Sequence, residues 1–180
     1  MIDLDFVWKL TLRDSDINEH LLTLYGLVVA TKSRTVLEIG SGQSTFALTA
    51  AVNETKGELF SIDLTPELSS LRLYPEAKGL LPTEPRYHSI EGDSKAVGWD
   101  KPIDLLFIDS GHSYELTLLE LRKYAAWVKV GGWILAHDTG EFNNIFADCR
   151  RAMLDFIDET GWRFRTMNNQ NGLTIIRKYD

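Results

Sequence analysis

The stretch VLEIGSGQST, residues 36–45, runs from three aliphatic residues and one acid directly into a series of small residues. Gly40 allows a tight turn after a strand, and Gly42 allows the backbone to approach a ligand closely. A dinucleotide-binding fingerprint needs a third glycine where Thr45 stands, and a Walker-type phosphate loop needs a lysine that is absent here. The stretch therefore predicts a strand followed by a loop for a nucleoside without a buried diphosphate.

Short apolar runs alternate with longer stretches of helical spacing along the rest of the chain. Five runs are expected to be parallel strands, and two later runs flank the turn sequence NNQNG, which predicts an antiparallel hairpin. The runs lie at 36–39, 59–62, 87–90, 103–108, 133–136, 162–166 and 173–177. Together they predict an α/β fold with a right-handed, doubly wound sheet and helices on both faces.

Three stretches between the strands have helical spacing, at 16–31, 113–128 and 142–157. The first opens with Asp16 and carries Glu19 three residues later, which predicts a capping box, and the second opens with Ser113. The stretch 66–82 contains Pro75, which breaks any long helix. The third predicted helix has an apolar stripe of Phe142, Ile145, Phe146, Cys149, Met153, Phe156 and Ile157.

Length and composition narrow the class of protein. A chain of 180 residues predicts one domain spanning 1–180, and its net charge of −7 argues against nucleic acid, whose phosphates it would repel. The single cysteine, Cys149, permits no internal disulfide, which fits a reducing cytoplasm. The first residues lack the pattern of a signal peptide, and no apolar run reaches the ~20 residues of a membrane span. We therefore expect a cytoplasmic protein with no membrane partner.

Ligands of doubly wound sheets bind beyond the carboxyl ends of the strands, so the residues there are the first candidates for a site. Asp63 follows the second strand, 21 residues after Gly42. Its carboxylate is placed to accept hydrogen bonds from both ribose hydroxyls, and the alternative is that it caps the next helix. After the third strand, Asp93 could bond an adenine amino group, or Ser94 could cap a short helix.

The fourth and fifth strands each end in an acid and an imidazole: Asp109 and His112, then His137 and Asp138. Neighbouring strand ends lie side by side, so these groups are candidates to converge at one rim of the sheet. Two carboxylates there repel each other unless a proton or a cation lies between them, and a divalent metal is one solution. The alternative is that one or both acids cap the next helix. His20 and His88 have no such company and are expected to be structural or surface residues.

Taken in order, these motifs resemble those of class I S-adenosylmethionine-dependent methyltransferases. The ordered set VLEIGSGQST, FSID, IEGDS, DLLFIDSGHSYE and VKVGGWILAHDT carries the resemblance, which covers roughly 16–177. It implies a Rossmann-like sheet of seven strands, mostly parallel with the last strand antiparallel. FIDSGHSYE followed by GGWILAHD resembles the small O-methyltransferases of the catechol and caffeoyl-CoA types and a branch that tailors macrolides and cephalosporins.

The resemblance also implies a role for each residue at the strand ends. The residues implied to bind S-adenosylmethionine are Glu38, Gly40, Ser41, Gly42, Ser44, Asp63, Gly92, Asp93, Ser94 and Asp109. Within this set, Glu38 would brace the loop or bond the amino group of the cofactor. The implied ligands of a divalent metal such as Mg²⁺ are Asp109, Asp138 and His137, and the implied catalytic residues are His112, as a base, and Asp109. The tailoring branch has Glu where His137 stands, and the caffeoyl-CoA type has Asn where Thr139 stands, so the third metal ligand departs from both.

The activity implied by the resemblance is transfer of a methyl group from S-adenosylmethionine to an oxygen of a small polar acceptor. Three alternatives stay open: a non-catalytic nucleoside-binding domain, a methyltransferase acting on nitrogen or on a macromolecule, and a nicotinamide-dependent oxidoreductase. Thr45 disfavours the last. Short loops leave little chain for a substrate lid, which would suit either a large substrate or a lid from the second subunit of a homodimer.

Overall fold

A seven-stranded sheet forms the centre of the structure, a computed structural model that describes residues 1–65, 79–142 and 145–180. The strands are β1 (Thr35–Ile39), β2 (Glu58–Asp63), β3 (Tyr87–Glu91), β4 (Ile103–Ile108), β5 (Val128–His137), β6 (Phe164–Met167) and β7 (Leu173–Arg177). Their order is β3-β2-β1-β4-β5-β7-β6. β1 to β5 pair in parallel, and β7 runs antiparallel to both of its neighbours. The predicted fold class is confirmed.

Helices cover both faces of the sheet. They are α1 (Leu4–Thr11), α2 (Leu21–Thr31), α3 (Gln43–Thr55), α4 (Tyr114–Ala125) and α5 (Ala147–Thr160). One apolar layer joins α1, α2 and α3 to side chains such as Leu105, and the other joins α4 and α5 to side chains such as Leu106. Both leucines are fully buried, and the burial of each side chain stabilises the folded state by about 1.5–3 kcal/mol. Successive residues of a strand point to opposite faces, so a strand covered on both sides is apolar throughout. None of the helices described is long and apolar enough to cross a bilayer.

The capping box predicted at Asp16 is wrong. A 3₁₀ turn, Asn18–His20, precedes α2, and neither element has a side-chain cap. The reason is a long-range contact, because the side chain of Gln170 binds this segment instead. Its Nε2 donates to the Ser15 carbonyl at 2.9 Å, and its Oε1 accepts from the Glu19 N–H at 2.7 Å.

The helix predicted at 142–157 begins later, at Ala147. Phe142 and Ile145 are 79% and 83% exposed, so the start of the predicted apolar stripe does not pack inward. Beyond β5 the backbone is tied to the hairpin turn, since the Gly140 N–H donates to the Asn171 carbonyl at 2.7 Å. The two chains touch there, and a Cβ built on Gly172 would lie 2.1 Å from the Gly140 Cα. This contact holds the chain just before the predicted start of the helix, and residues 141 and 142 form a turn there instead.

The helix predicted at 113–128 is present but ends earlier, and the stretch 66–82 is described only in part. Ser113 caps α4 as predicted, with its Oγ accepting from the Leu116 N–H at 3.3 Å, but the helix ends at Ala125 because Val128 already belongs to β5. Residues 66–78, most of the stretch that contains Pro75, lie outside the described residues. Just after them, Leu81–Thr83 forms a single 3₁₀ turn.

Candidate functional site

A cleft of about 360 Å³ opens at the carboxyl ends of β1 to β4. Its volume falls within the ~300–1,000 Å³ of small-molecule sites. Of the ten residues predicted to bind the cofactor, seven line this cleft: Gly40, Ser41, Asp63, Gly92, Asp93, Ser94 and Asp109. The other three, Glu38, Gly42 and Ser44, do not line it.

Gly40 makes the bend that opens the cleft. Its φ of +89° is a left-handed conformation that favours glycine, and an added Cβ would lie 1.9 Å from the Asp109 carbonyl oxygen. The Gly40 N–H donates to the Ile62 carbonyl at 2.8 Å, and the Asp109 N–H donates to the Ile39 carbonyl at 2.8 Å. The loop is thus held between the ends of β2 and β4, with no room for a side chain at position 40.

The Asp63 carboxylate binds the next residue of the loop. The N–H and hydroxyl of Ser41 both donate to Asp63 Oδ2, at 2.7 and 2.9 Å, and Asp63 Oδ1 accepts from the Thr65 N–H at 2.8 Å. A carboxylate has about four acceptor positions, so these three bonds leave about one available toward the cleft. The bond to Thr65, two residues on, has the pattern of an Asx turn. The helix that Asp63 was alternatively predicted to cap would lie within residues 66–78, outside the described residues.

Glu38 lies beneath the loop and is completely buried. Its two oxygens accept hydrogen bonds from the hydroxyls of Ser44 at 2.6 Å, Thr45 at 2.8 Å and Ser61 at 2.6 Å. Burial raises the pKa of Glu38 to about 7, although the three hydroxyls act in the opposite direction. Of its two predicted roles, the geometry matches bracing of the loop, because all its described contacts are to the protein and it does not line the cleft.

The far wall of the cleft contains an acid that the sequence analysis missed. Glu120, on α4, is fully buried and accepts hydrogen bonds from the hydroxyls of Ser94 at 2.5 Å and Ser110 at 2.6 Å. Ser94 therefore does not cap a helix, and that prediction is wrong. The Asp93 carboxylate accepts from the Lys95 N–H at 2.9 Å, which lowers its pKa. A signal for Glu120 existed, since it lies between Thr117 and Tyr124 on the buried face of an amphipathic helix.

The groups predicted at the ends of β4 and β5 do converge, and we call Asp109, His112, His137 and Asp138 the rim cluster. His112 Nε2 lies 2.8 Å from Asp138 Oδ2, and His137 Nδ1 lies 3.5 Å from Asp109 Oδ1 and 3.6 Å from Asp138 Oδ1. Asp138 has a φ of +60°, a strained conformation of the kind found at functional sites. Ser113 and Phe146 hold the cap positions of α4 and α5, so the alternative in which either acid caps a helix is wrong.

The donor set of the rim cluster fits a cation. One atom each from Asp109, His137 and Asp138 lies within 4.8 Å of the others. Asp138 Oδ1 is buried and has no hydrogen-bond partner among the residues that the structure describes. His137 Nε2 lies 3.0 Å from the Gln170 carbonyl, an arrangement that leaves Nδ1 as the ligand atom in metal sites. Burial lowers the pKa of His137, but the two carboxylates and this carbonyl outweigh it and raise the pKa to about 9. A proton on Nδ1 or a metal ion can therefore balance the same two acids.

His112 stands at the open edge of the rim cluster, with 43% of its side chain exposed. Its hydrogen bond to Asp138 raises its pKa, against a smaller opposing effect of burial. The ring centroid lies 4.3 Å from that of Phe146. The side chain is oriented by a carboxylate and an aromatic ring while it stays accessible from outside.

The turn at 168–172 supports the rim cluster, and sequence reasoning did not assign it this role. His20 is fully buried, its Nε2 lies 2.9 Å from the Asn169 carbonyl, and its ring packs edge-on against His137 at 5.5 Å. The neighbouring carbonyl, of Gln170, binds His137 as described above. The two histidines thus bind consecutive carbonyls of one turn, and His20 is structural in the sense predicted.

The family follows from comparison with known proteins. A protein-family model described as a methyltransferase domain matches residues 37–139, more than half of the chain. The chain belongs to this methyltransferase domain family. The predicted family is therefore confirmed, and the matched segment contains Gly40, Asp63 and the whole rim cluster.

Solved structures share the fold of this methyltransferase domain. An SAH-bound methyltransferase from Podospora anserina aligns with a TM-score of 0.69 and 18% identity over 97% of this chain and 86% of that chain. An O-methyltransferase from Bacillus cereus in complex with SAH aligns with a TM-score of 0.65 and 14% identity, over 97% and 90%. A Staphylococcus aureus structure, provisionally described as a caffeoyl-CoA O-methyltransferase, aligns with a TM-score of 0.70 and 17% identity, over 92% and 84%. At these identities the likeness is one of fold.

Proposed function

We propose that this methyltransferase domain transfers a methyl group from S-adenosylmethionine to an oxygen of a small polar acceptor. The observation that carries the proposal is the position of Asp109. It lines the cleft, and its carboxylate also faces His137 in the rim cluster. A cofactor in the cleft would therefore lie beside the groups that can activate an acceptor.

The residues of the cleft match the parts of the cofactor. Asp63 accepts from the ribose hydroxyls, Gly40 and Ser41 bring bare backbone close to the methionine end, and Ser94 lies where the adenine ends. Glu38 acts through the loop that it braces. When bound, S-adenosylmethionine supplies a methyl group already activated by a positively charged sulfur. The SAH in the Podospora anserina and Bacillus cereus structures supports this choice of cofactor.

On the acceptor side, His112 is the proposed base. Asp138 accepts a hydrogen bond from His112 Nε2–H, which keeps that proton on Nε2 and leaves Nδ1 to take the proton of the acceptor hydroxyl. Such general-base catalysis contributes typically ~10²–10⁴ in rate. A divalent cation held by Asp109, Asp138 and His137 would supply positive charge that lowers the pKa of the acceptor hydroxyl. The chain itself contributes orientation, and correct alignment of reacting groups can supply up to about 7–11 kcal/mol.

Calorimetric titration tests the cofactor half of the proposal. We expect SAH to bind the wild-type protein, Asp63→Ala to weaken that binding at least tenfold, and NAD to show no binding. A protein that ignores SAH, or binds it equally well without the Asp63 carboxylate, contradicts the assignment of the cleft. Binding of NAD instead would restore the oxidoreductase alternative.

An acceptor screen with His112→Ala tests the chemical half. Catechols, phenols and amines are incubated with S-adenosylmethionine and the formation of SAH is followed. We expect turnover of a hydroxyl compound that His112→Ala abolishes without changing SAH affinity. The matched control is His88→Ala, because His88 lies on β3 beside Glu58, 3.8 Å away, and outside both the cleft and the rim cluster. Methylation of amines alone, or full activity in His112→Ala, contradicts the oxygen acceptor or the base.

Two further parts of the proposal concern the whole chain. We propose that residues 1–180 act as one cytoplasmic domain and that it forms a homodimer whose second subunit contributes the lid. Light scattering at increasing protein concentration measures the oligomeric state. A monomer at every concentration that supports turnover rules out the shared lid.

A further inference from the structure

A second cavity, of about 270 Å³, lies between α5 and the β6–β7 hairpin. It begins at Thr139, the residue that directly follows Asp138 of the rim cluster. Consecutive Cα atoms are about 3.8 Å apart, so this wall of the cavity begins one residue beyond the rim cluster. The position makes the second cavity a candidate to hold part of a molecule that reaches the rim cluster.

The second cavity is lined by two arginines that have few partners. The guanidinium of Arg150 is half-buried, and no ion-pair or hydrogen-bond partner for it is found in the described part of the chain. Arg165 donates from Nη1 to the carbonyl of Phe164 at 2.9 Å, which leaves its other N–H groups available. The adjacent Arg151 differs, because it pairs with Asp148 at 3.4 Å. Guanidinium N–H groups form a planar fork that matches a carboxylate or a phosphate.

The rest of the lining suits the body of a small organic molecule. Met153 and Phe164 provide an apolar wall. Three threonine hydroxyls are hydrogen-bonded in one row, with Oγ1 of Thr174 at 2.8 Å from those of both Thr139 and Thr166. These hydroxyls carry no charge, and they already bind one another. A polar substituent of the ligand can lie beside them, but they do not select for a charged one. Charge recognition is thus confined to the arginines.

We propose that the second cavity binds a carboxylate or phosphate group of the methyl acceptor chiefly through Arg150, with Arg165 at the exposed edge of the cavity. The acceptor is then an anionic hydroxyl compound, and the inference rests on the proposed function because the rim cluster must hold its hydroxyl. Glu141 is the only acid among the described residues that line the cavity, and its N–H is fixed by the Asn168 side chain at 2.9 Å. Its carboxylate repels an anion. Neutralising Glu141 should therefore raise the affinity for an anionic ligand, whereas neutralising Arg150 should lower it.

The test compares matched probes by calorimetry on the SAH-saturated protein. The probes are 3,4-dihydroxybenzoate, catechol, phenyl phosphate and inorganic phosphate. We expect 3,4-dihydroxybenzoate or phenyl phosphate to bind at least tenfold more tightly than catechol. Tighter binding of 3,4-dihydroxybenzoate than of phenyl phosphate indicates a carboxylate site, and the reverse indicates a phosphate site. Competition by inorganic phosphate also supports a phosphate site.

Three variants test whether the preference for an anionic probe depends on the second cavity. Arg150→Gln is expected to remove the preference for the anionic probe while the affinity for catechol is unchanged. Arg151→Gln, the matched control, changes neither affinity, and Glu141→Gln tightens binding of the anionic probe. Amide spectra of each variant show whether the fold is kept.

Several outcomes overturn the inference. The first is that neither 3,4-dihydroxybenzoate nor phenyl phosphate binds more tightly than catechol. The second is that no anionic probe binds at all. The third is that Arg150→Gln and Arg151→Gln lose the same affinity for the anionic probe. If SAH binds normally in those experiments, only this inference fails. If SAH does not bind at all, the proposed function fails with it.

Discussion

The cleft and the rim cluster are neighbours, but contacts of different range hold them in place. Glu38 fixes the loop of the cleft through Ser44 and Thr45, which are six and seven positions away in the chain. His137 of the rim cluster is bound by Gln170, 33 positions later, whose side chain is in turn bound to Ser15, 155 positions earlier. The bracing of this loop by Glu38 is thus encoded largely within one motif, whereas the rim cluster depends on the assembled fold.

The largest expected effect comes from Gly40→Ala. The added Cβ would overlap the Asp109 carbonyl oxygen, and the φ of +89° would strain any side chain. A strained backbone alone costs of the order of 1–3 kcal/mol, and the overlap adds to it. We expect SAH binding to fall below detection in calorimetry and the free energy of unfolding, measured in urea, to drop by about 4 kcal/mol, from the strain and the overlap together.

Gly42→Ala is the matched control for stability. A Cβ at Gly42 has nothing within 4 Å, so the free energy of unfolding should stay close to that of the wild type. Equal losses of stability in Gly40→Ala and Gly42→Ala would show that the bend at Gly40 is not the special position of this loop.

A smaller effect, and one that depends on pH, is expected from Glu38→Gln. The pKa of Glu38 is about 7 in the folded protein against an ordinary value of 4.5, so the folded state holds its proton more tightly than the unfolded state. The resulting stabilisation is fully present below pH 4.5 and is lost as the pH rises through 7. The difference amounts to about 3 kcal/mol.

The measurement is the free energy of unfolding in urea from pH 4.5 to 8 for both proteins. The wild type should lose stability relative to Glu38→Gln as the pH rises, because glutamine does not titrate. Parallel pH profiles would mean that Glu38 keeps an ordinary pKa despite its burial.

The smallest of the three effects is expected from Gln170→Ala, which tests the long-range half of the comparison. Loss of its side chain frees the turn whose carbonyl orients His137, and such supporting contacts are typically worth ~10–100-fold in activity. We expect kcat for methyl transfer to fall by that factor while SAH affinity is unchanged. Gln170→Glu keeps the acceptor for the Glu19 N–H but places a carboxylate oxygen against the Ser15 carbonyl, so it should lose at least as much activity. A fall in SAH affinity equal to the fall in kcat would show that the two regions are not separately supported.

The sequence predicted those features that depend on periodicity and on strand ends. All seven strands and the convergence of Asp109, His112, His137 and Asp138 follow from apolar runs and from sheet geometry. The sequence failed where distant segments meet. Asp16 and Phe142 read as parts of helices because local spacing carries no information about the turn at 168–172. Glu120 was missed for a related reason, since its meaning depends on two serines that other strands bring to it.

The contact between Gly140 and Gly172 has a consequence for how the chain can be altered. Every side chain proposed to touch S-adenosylmethionine or the reacting hydroxyl precedes residue 140, and so does the segment that the family model matches. A version truncated after Thr160 would keep all of those side chains and still lose the carbonyl that orients His137. Exchange of the C-terminal hairpin between relatives would therefore tune catalysis without replacing a single catalytic atom.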